Sequence, residues 1–125
     1  MPLTSRSTIM AELLGSLGWR APFRAQQDLA ATIADAYEVP IASGVINQAL
    51  ALPPGLVTIT TLWITANKSV GITLGPVASN QTKTLNAGGV IGFANGALAA
   101  TGAASITYSA TDGQPATVLV YVAGT

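Results

Sequence analysis

The chain has 125 residues, half of them hydrophobic and only 8% charged, against about 25% charged in a typical soluble domain. That length suits one domain, and so apolar a composition excludes intrinsic disorder, because enough surface can be buried to offset the entropy of ordering the chain. Five basic and five acidic residues cancel and there is no histidine or cysteine, which leaves no charged field to gather nucleic acid and excludes disulfides, thiolate metal sites and Ser-His-Asp or Cys-His catalysis.

The N-terminus, MPLTSRSTIMAELLGSLGW, has no unbroken apolar run, since Glu12 and the glycines interrupt it. It does not read as a signal peptide. The most apolar later stretch, near Ala49 to Ala66, is broken by Pro53, Pro54 and threonines, and falls short of the roughly 20 apolar residues of a membrane span. The expectations are therefore no enzymatic activity, no cofactor, no nucleic acid and no membrane. A neutral, charge-poor surface also favours self-association over a free monomer.

Charge divides the chain. Arg6, Glu12, Arg20, Arg24, Asp28, Asp35 and Glu38 precede Val39, and only Lys68, Lys83 and Asp112 follow it. This shift predicts an N-terminal arm over residues 1–38 and a β domain over 39–125. In the arm, Ile9, Met10, Leu13, Leu14 and Leu17 recur at helical spacing behind Ser7 as an N-cap, with Gly15 and Gly18 as terminators. Pro22 then begins a second predicted helix, with Leu29, Ile33 and Tyr37 in one stripe and Arg24 and Asp28 one turn apart. Such a pair adds only about 0.2–0.5 kcal/mol. Trp19 and Phe23 flank Pro22 in the linker, where neither is easily buried, and become docking anchors.

The later region reads in steps of two. Val70, Ile72 and Leu74 alternate with Gly71, Thr73 and Gly75, and Ile106, Tyr108 and Ala110 with Ser105, Thr107 and Ser109, the pattern of strands with one buried face. LVTITTLWIT from Leu56 and ATVLVYV from Ala116 are apolar on both faces, as in central or interfacial strands. Turns are predicted at Pro53-Pro54-Gly55, Asn67-Lys68-Ser69, Gly75-Pro76, Asn86 to Gly89, Asn95-Gly96 and Asp112 to Pro115. Between Gly92 and Gly102 the chain reads as a loop, an edge strand or one helical turn. The fold class is mainly β, a β-sandwich or jelly-roll-like domain preceded by a short helical arm.

Asp28, Asp35 and Glu38 are the best acid-base or metal constellation, because helical steps would bring their carboxylates to one side. A solvated helix face is the commoner fate of such residues. The glycines of Gly88 to Gly92 match no phosphate-binding fingerprint and read as turn residues. Asn67-Lys68-Ser69 and Asn80-Gln81-Thr82 match the glycosylation triplet by chance in polar loops. Trp63, Tyr108 and Tyr121 fall in predicted strands, where core packing is the plain reading.

From Gly55 onward, LVTITTLWITANKSVGITLG, TKTLNAGGVIGFANGALAATG and ASITYSATDGQPATVLVYVAGT together resemble the small β-sandwich modules of bacteriophage virion proteins. The resemblance implies a capsid decoration (cement) protein in the virion, made in the host cytoplasm, acting as a homo-oligomer, by preference a trimer, on the major capsid protein or other virion subunits. It carries no catalytic residue across. Leu13, Leu14, Trp19, Phe23, Leu29 and Ile33 are the expected contacts of the arm, and Trp63, Leu119 and Tyr121 the expected oligomer core. The alternatives are a tail, baseplate or fibre component, including one that recognises glycans through exposed aromatics such as Tyr108 and Tyr121, and a carboxylate-dependent hydrolase.

Overall fold

The computed structural model describes residues 3–14, 20–75 and 81–125, with the backbone alone at 12–14, 20–24 and 81. Ten strands follow in order and pair only antiparallel: β1 (Leu3–Leu14), β2 (Arg20–Ala31), β3 (Ile33–Ile41), β4 (Val45–Ala49), β5 (Thr58–Ala66), β6 (Val70–Leu74), β7 (Gln81–Leu85), β8 (Val90–Ala99), β9 (Ala104–Tyr108) and β10 (Ala116–Gly124). Among the described residues there is no helix.

The expected helical arm is therefore corrected to a β-hairpin, in which β1 pairs with β2 from Leu3↔Ala31 to Leu14↔Arg20. A helix as short as either one predicted here is marginal in water, and weak propensity yields to tertiary pairing. The step of two explains the sequence better than the step of three or four. Arg6, Glu12, Arg20, Arg24 and Asp28 all occupy register positions of one hairpin face. The positions of the opposite face, Leu3, Ser5, Ser7, Ile9, Ala11 and Leu13 against Ala31, Leu29, Gln27, Ala25, Phe23 and Ala21, carry no charge. Asp28 pairs across the strands with Arg6, through contacts of 2.8 Å from Nε to Oδ1 and from Nη2 to Oδ2. The predicted one-turn relation of Arg24 to Asp28 does not exist, because Arg24 stands opposite Met10.

The remaining strands form two four-stranded sheets, β3-β10-β5-β8 and β4-β9-β6-β7. One core lies between them. Leu62 and Ile64 of β5 and Val118, Val120 and Val122 of β10 meet Val70 and Ile72 of β6, Leu85 of β7 and Ile106 and Tyr108 of β9. The runs that are apolar on both faces, β5 and β10, are the two inner strands of their sheet, and the alternating runs became β6 and β9. The ambiguous stretch after Gly92 lies in β8, the edge strand of the first sheet.

Two boundaries move. The break expected after Glu38 falls inside β3, whose pairing with β10 starts at Ile33↔Gly124 and ends at Ile41↔Ala116. The change from hairpin to sandwich comes at Thr32, whose N–H donates to the Gly124 carbonyl at 2.9 Å. Asn95-Gly96, expected as a chain reversal, is a bulge within β8, where the register slips between Ile59↔Leu98 and Thr61↔Ala94 and Asn95 takes φ 58°. The expected turn at Asp112 is present, its Oδ1 accepting from the Gln114 N–H at 2.9 Å.

Candidate functional site

The outer face of the first sheet is built from three cross-strand rows. Ala34, Ala123, Thr61 and Ala94 form the first, Ala36, Tyr121, Trp63 and Gly92 the second, and Glu38, Leu119, Thr65 and Val90 the third. These side chains point away from the core shared with the second sheet, yet their exposure differs sharply along the face. Thr61 and Ala123 are fully buried, Trp63 and Tyr121 half-buried, and Leu119 and Val90 are 46% and 63% exposed.

The hairpin causes that gradient. Ser5 Oγ lies 2.7 Å from the Tyr121 hydroxyl on β10, and Trp63 Nε1 on β5 donates to Ser7 Oγ at 3.1 Å. β1 thus crosses the sheet from strand to strand as a third layer. Its uncharged face is turned inward at this foot, where Ser5, Ser7 and Ala31 are buried and Leu29 half-buried. Past Ser7 the same face is open, with Ile9 40% exposed and Ala11 and Ala25 exposed. The Thr61 hydroxyl is buried without a hydrogen-bond partner, a feature for which the surrounding residues offer no physical account.

Gly92 seats the indole. A Cβ there would lie 1.8 Å from the Leu62 carbonyl oxygen and 2.8 Å from Trp63 Cε3, so only glycine lets the Trp63 ring approach β8 this closely. Beside the ring run two open grooves. One of about 580 Å³ lies between β1 and the sheet, lined by Ile9, Met10, Trp63, Val90 and Tyr121. The other, of about 440 Å³, continues along Trp63, Val90, Leu119, Tyr121 and Glu38. The outer face of the second sheet differs in kind: Thr73, Thr82, Thr84, Thr107 and Asn47 line a shallow hydroxyl-rich cleft.

Of the residues expected at interfaces, Trp63, Leu119 and Tyr121 are brought together on this outer face. Leu13 and Leu14 belong to β1 and Phe23 to β2. Leu29 stands opposite Ser5 at the hairpin foot. Ile33 lies in β3 of the sandwich and not in the arm, because the sheet begins earlier than composition suggests. Trp19, Asn80 and the second half of the Gly75-Pro76 turn lie outside the described residues. Tyr108 is 1% exposed in the core, which withdraws it as a glycan contact. Sequence reasoning missed Ser5, Ser7 and Val90. Arg6 is the one charge between Leu3 and Ala11, so no local pattern singled out the two serines; the uncharged face appears only once β2 is laid beside β1.

The carboxylates do not gather. Asp35 and Glu38 are an odd number of residues apart in β3 and so point to opposite faces, while Asp28 belongs to the hairpin. Among the described residues no group of three or more His, Cys, Asp or Glu side chains could hold a metal. No helix among them is long and apolar enough to cross a membrane. No protein-family model, curated protein or solved structure matches the chain.

The Arg6 guanidinium, by hydrogen bond and charge, holds the Asp28 carboxyl below its ordinary value. A depressed carboxyl contributes stability above its unfolded pKa and loses it as pH falls through the folded one. Protection of the β1 and β2 amides from hydrogen exchange is therefore expected to fall on acidification through and below the normal aspartate range. The Asp28→Asn variant should abolish that pH dependence. Both groups are exposed, so high salt weakens the effect.

Proposed function

We propose that the chain is a structural subunit of a virus particle, a capsid decoration protein that acts as a homo-oligomer and stabilises the shell by binding the major capsid protein or other virion subunits. The observation that carries this reading is the outer sheet face, where Trp63, Tyr121, Leu119 and Val90 make an apolar strip beside an arm whose uncharged face continues past its seat. Surface of that kind is at home against protein. The strand order supports it at the level of architecture. With strands β3 to β10 taken in sequence, β3-β10-β5-β8 packed on β4-β9-β6-β7 is the connectivity of an eight-stranded jelly roll, an architecture used by viral capsid and lectin domains. Architecture by itself does not assign a role.

A ligand that binds only the assembled shell stabilises it by mass action. In particles produced from the genome that encodes the chain, it should occupy regular lattice positions in cryo-electron microscopy, and particles lacking it should release their contents at a lower temperature. Its absence from purified particles would remove the reading.

A second reading is favoured by one feature, the half-exposed Trp63 and Tyr121 rings at the lip of a groove that also carries Ser7 and Thr8. A fibre or receptor-binding module would use such rings to stack on sugars. It requires saturable glycan binding that Trp63→Ala abolishes, and a glycan array with no hit would rule it out.

A further inference from the structure

We infer that the groove between β1 and the third row of the outer sheet face is the seat for the distal half of the β1-β2 hairpin of a second copy, the two copies exchanging arms about a twofold axis. The inference deepens the proposed assembly role and names the first partner as the chain itself. Four observations carry it.

The first is a mismatch of lengths. The hairpin is anchored to its own sheet at Ser5, Ser7, Leu29 and Ala31. Seven further register pairs, Thr8↔Gln26 to Leu14↔Arg20, extend it by about 24 Å at the usual rise of a strand. A two-stranded ribbon standing alone is marginal in water, so this half calls for a surface.

The second is chemical continuity. The face that is open past Ser7 is the same uncharged face that the foot already lays on the sheet, and the apolar strip left bare on the sheet adjoins the rows already covered. The hairpin–sheet contact within one chain thus leaves two matching remainders. Within one chain Ile9 and Met10 line the same groove as Val90 without filling it. A second copy joins both at once.

The third is the edge of β1. Among the described residues β1 pairs only with β2, so its outer backbone groups stand open along the groove, and an unpaired edge is a template for another strand. A twofold axis sets β1 antiparallel to β1 of the partner and needs no other sequence, which is the self-complementarity of an isologous interface. The layer becomes four strands wide, seated on two sheets.

The fourth is charge. All five hairpin charges occupy register positions of the other face, so the face offered to the groove carries no charged position. Glu38, at the β3 end of the third row, is exposed in the single chain.

The test uses the full chain and light scattering across micromolar concentrations. Wild type is expected at twice 12.6 kDa or a multiple of it. Leu119→Arg with Val90→Arg puts charge into the groove at positions exposed in the single chain, and Ile9→Arg does the same on the arm. Each should bring the mass down to 12.6 kDa with an unchanged circular dichroism spectrum, and deprotect β1 amides that are slow to exchange in wild type. Ile46→Arg, 74% exposed on the second sheet, should leave the mass unchanged. If wild type is oligomeric and the groove and arm variants keep its mass, arm exchange is wrong while the assembly reading survives. If Ile46→Arg alone dissociates it, the interface is the second sheet and arm exchange is likewise wrong. A wild type that stays at 12.6 kDa and binds immobilised glycans overturns both.

Discussion

Gly92→Ala is expected to lower the unfolding free energy by about 3 kcal/mol or more, a loss on the order of 10 °C in Tm for a chain of this size. The added methyl would overlap the Leu62 carbonyl oxygen at 1.8 Å and press on the Trp63 ring at 2.8 Å. Leu62 belongs to β5, an inner strand held between β10 and β8, so its carbonyl cannot yield and β8 must part from β5 or the indole must leave its seat. Gly71→Ala is the control. It too lies in a strand of the sandwich, but its nearest neighbour would be 3.8 Å away, an ordinary contact, and its cost should be small. Urea unfolding of both variants separates the claims, and equal stability would show that the close approach of β8 to β5 is not as described.

Trp63→Ala is expected to cost about 2–3 kcal/mol and to loosen the hairpin. Full removal of a buried Trp costs about 3–5 kcal/mol, and a half-exposed one loses less transfer energy. Ser7, 8% exposed, would also lose the indole N–H it accepts from, adding about 1 kcal/mol for an orphaned buried group. The pattern of loss matters more than its size. Amides of β1 and β2 should exchange faster while those of β9 keep their protection, because the core between the sheets is untouched. Trp63→Phe keeps a ring over Gly92 and removes only the donor, so about 1 kcal/mol is expected, and Tyr121→Phe should resemble it through Ser5. Uniform deprotection of both sheets after Trp63→Ala would mean that the indole belongs to the main core and not to the hairpin seat.

How much of this was legible in the sequence depends on how local the signal was. Alternation from Val70 to Leu74 and from Ser105 to Ala110 gave β6 and β9, since one face meets the core and the other meets water. Leu56 to Thr65 and Ala116 to Val122 read as covered on both sides, and they fall on β5 and β10, the inner strands of one sheet with the hairpin lying across it. The arm misled because Ile9, Met10, Leu13 and Leu14 satisfy helical spacing by themselves, whereas the strand pattern emerges only when residues 20–31 are laid antiparallel against them. That pairing joins residues as far apart in the chain as Leu3 and Ala31, which no local window spans. β3 and β4 were missed for a related reason: Glu38, Pro40 and Asn47 are poor strand formers, held in place by β10 and β9. Trp63, Leu119 and Tyr121 could be nominated as apolar residues in strands, but that they share one outer face follows from the β10-β5 register, which composition does not contain.

The central claim is that the outer face of the first sheet is covered by another copy of the chain when the protein is in solution. Mass by light scattering, read together with amide exchange at β1, tests it most directly. The expected result is a species of twice 12.6 kDa or more whose β1 amides are protected on both edges of the strand. A 12.6 kDa species at every concentration, with the outer edge of β1 exchanging freely and Leu119 and Val90 open to solvent, would contradict it.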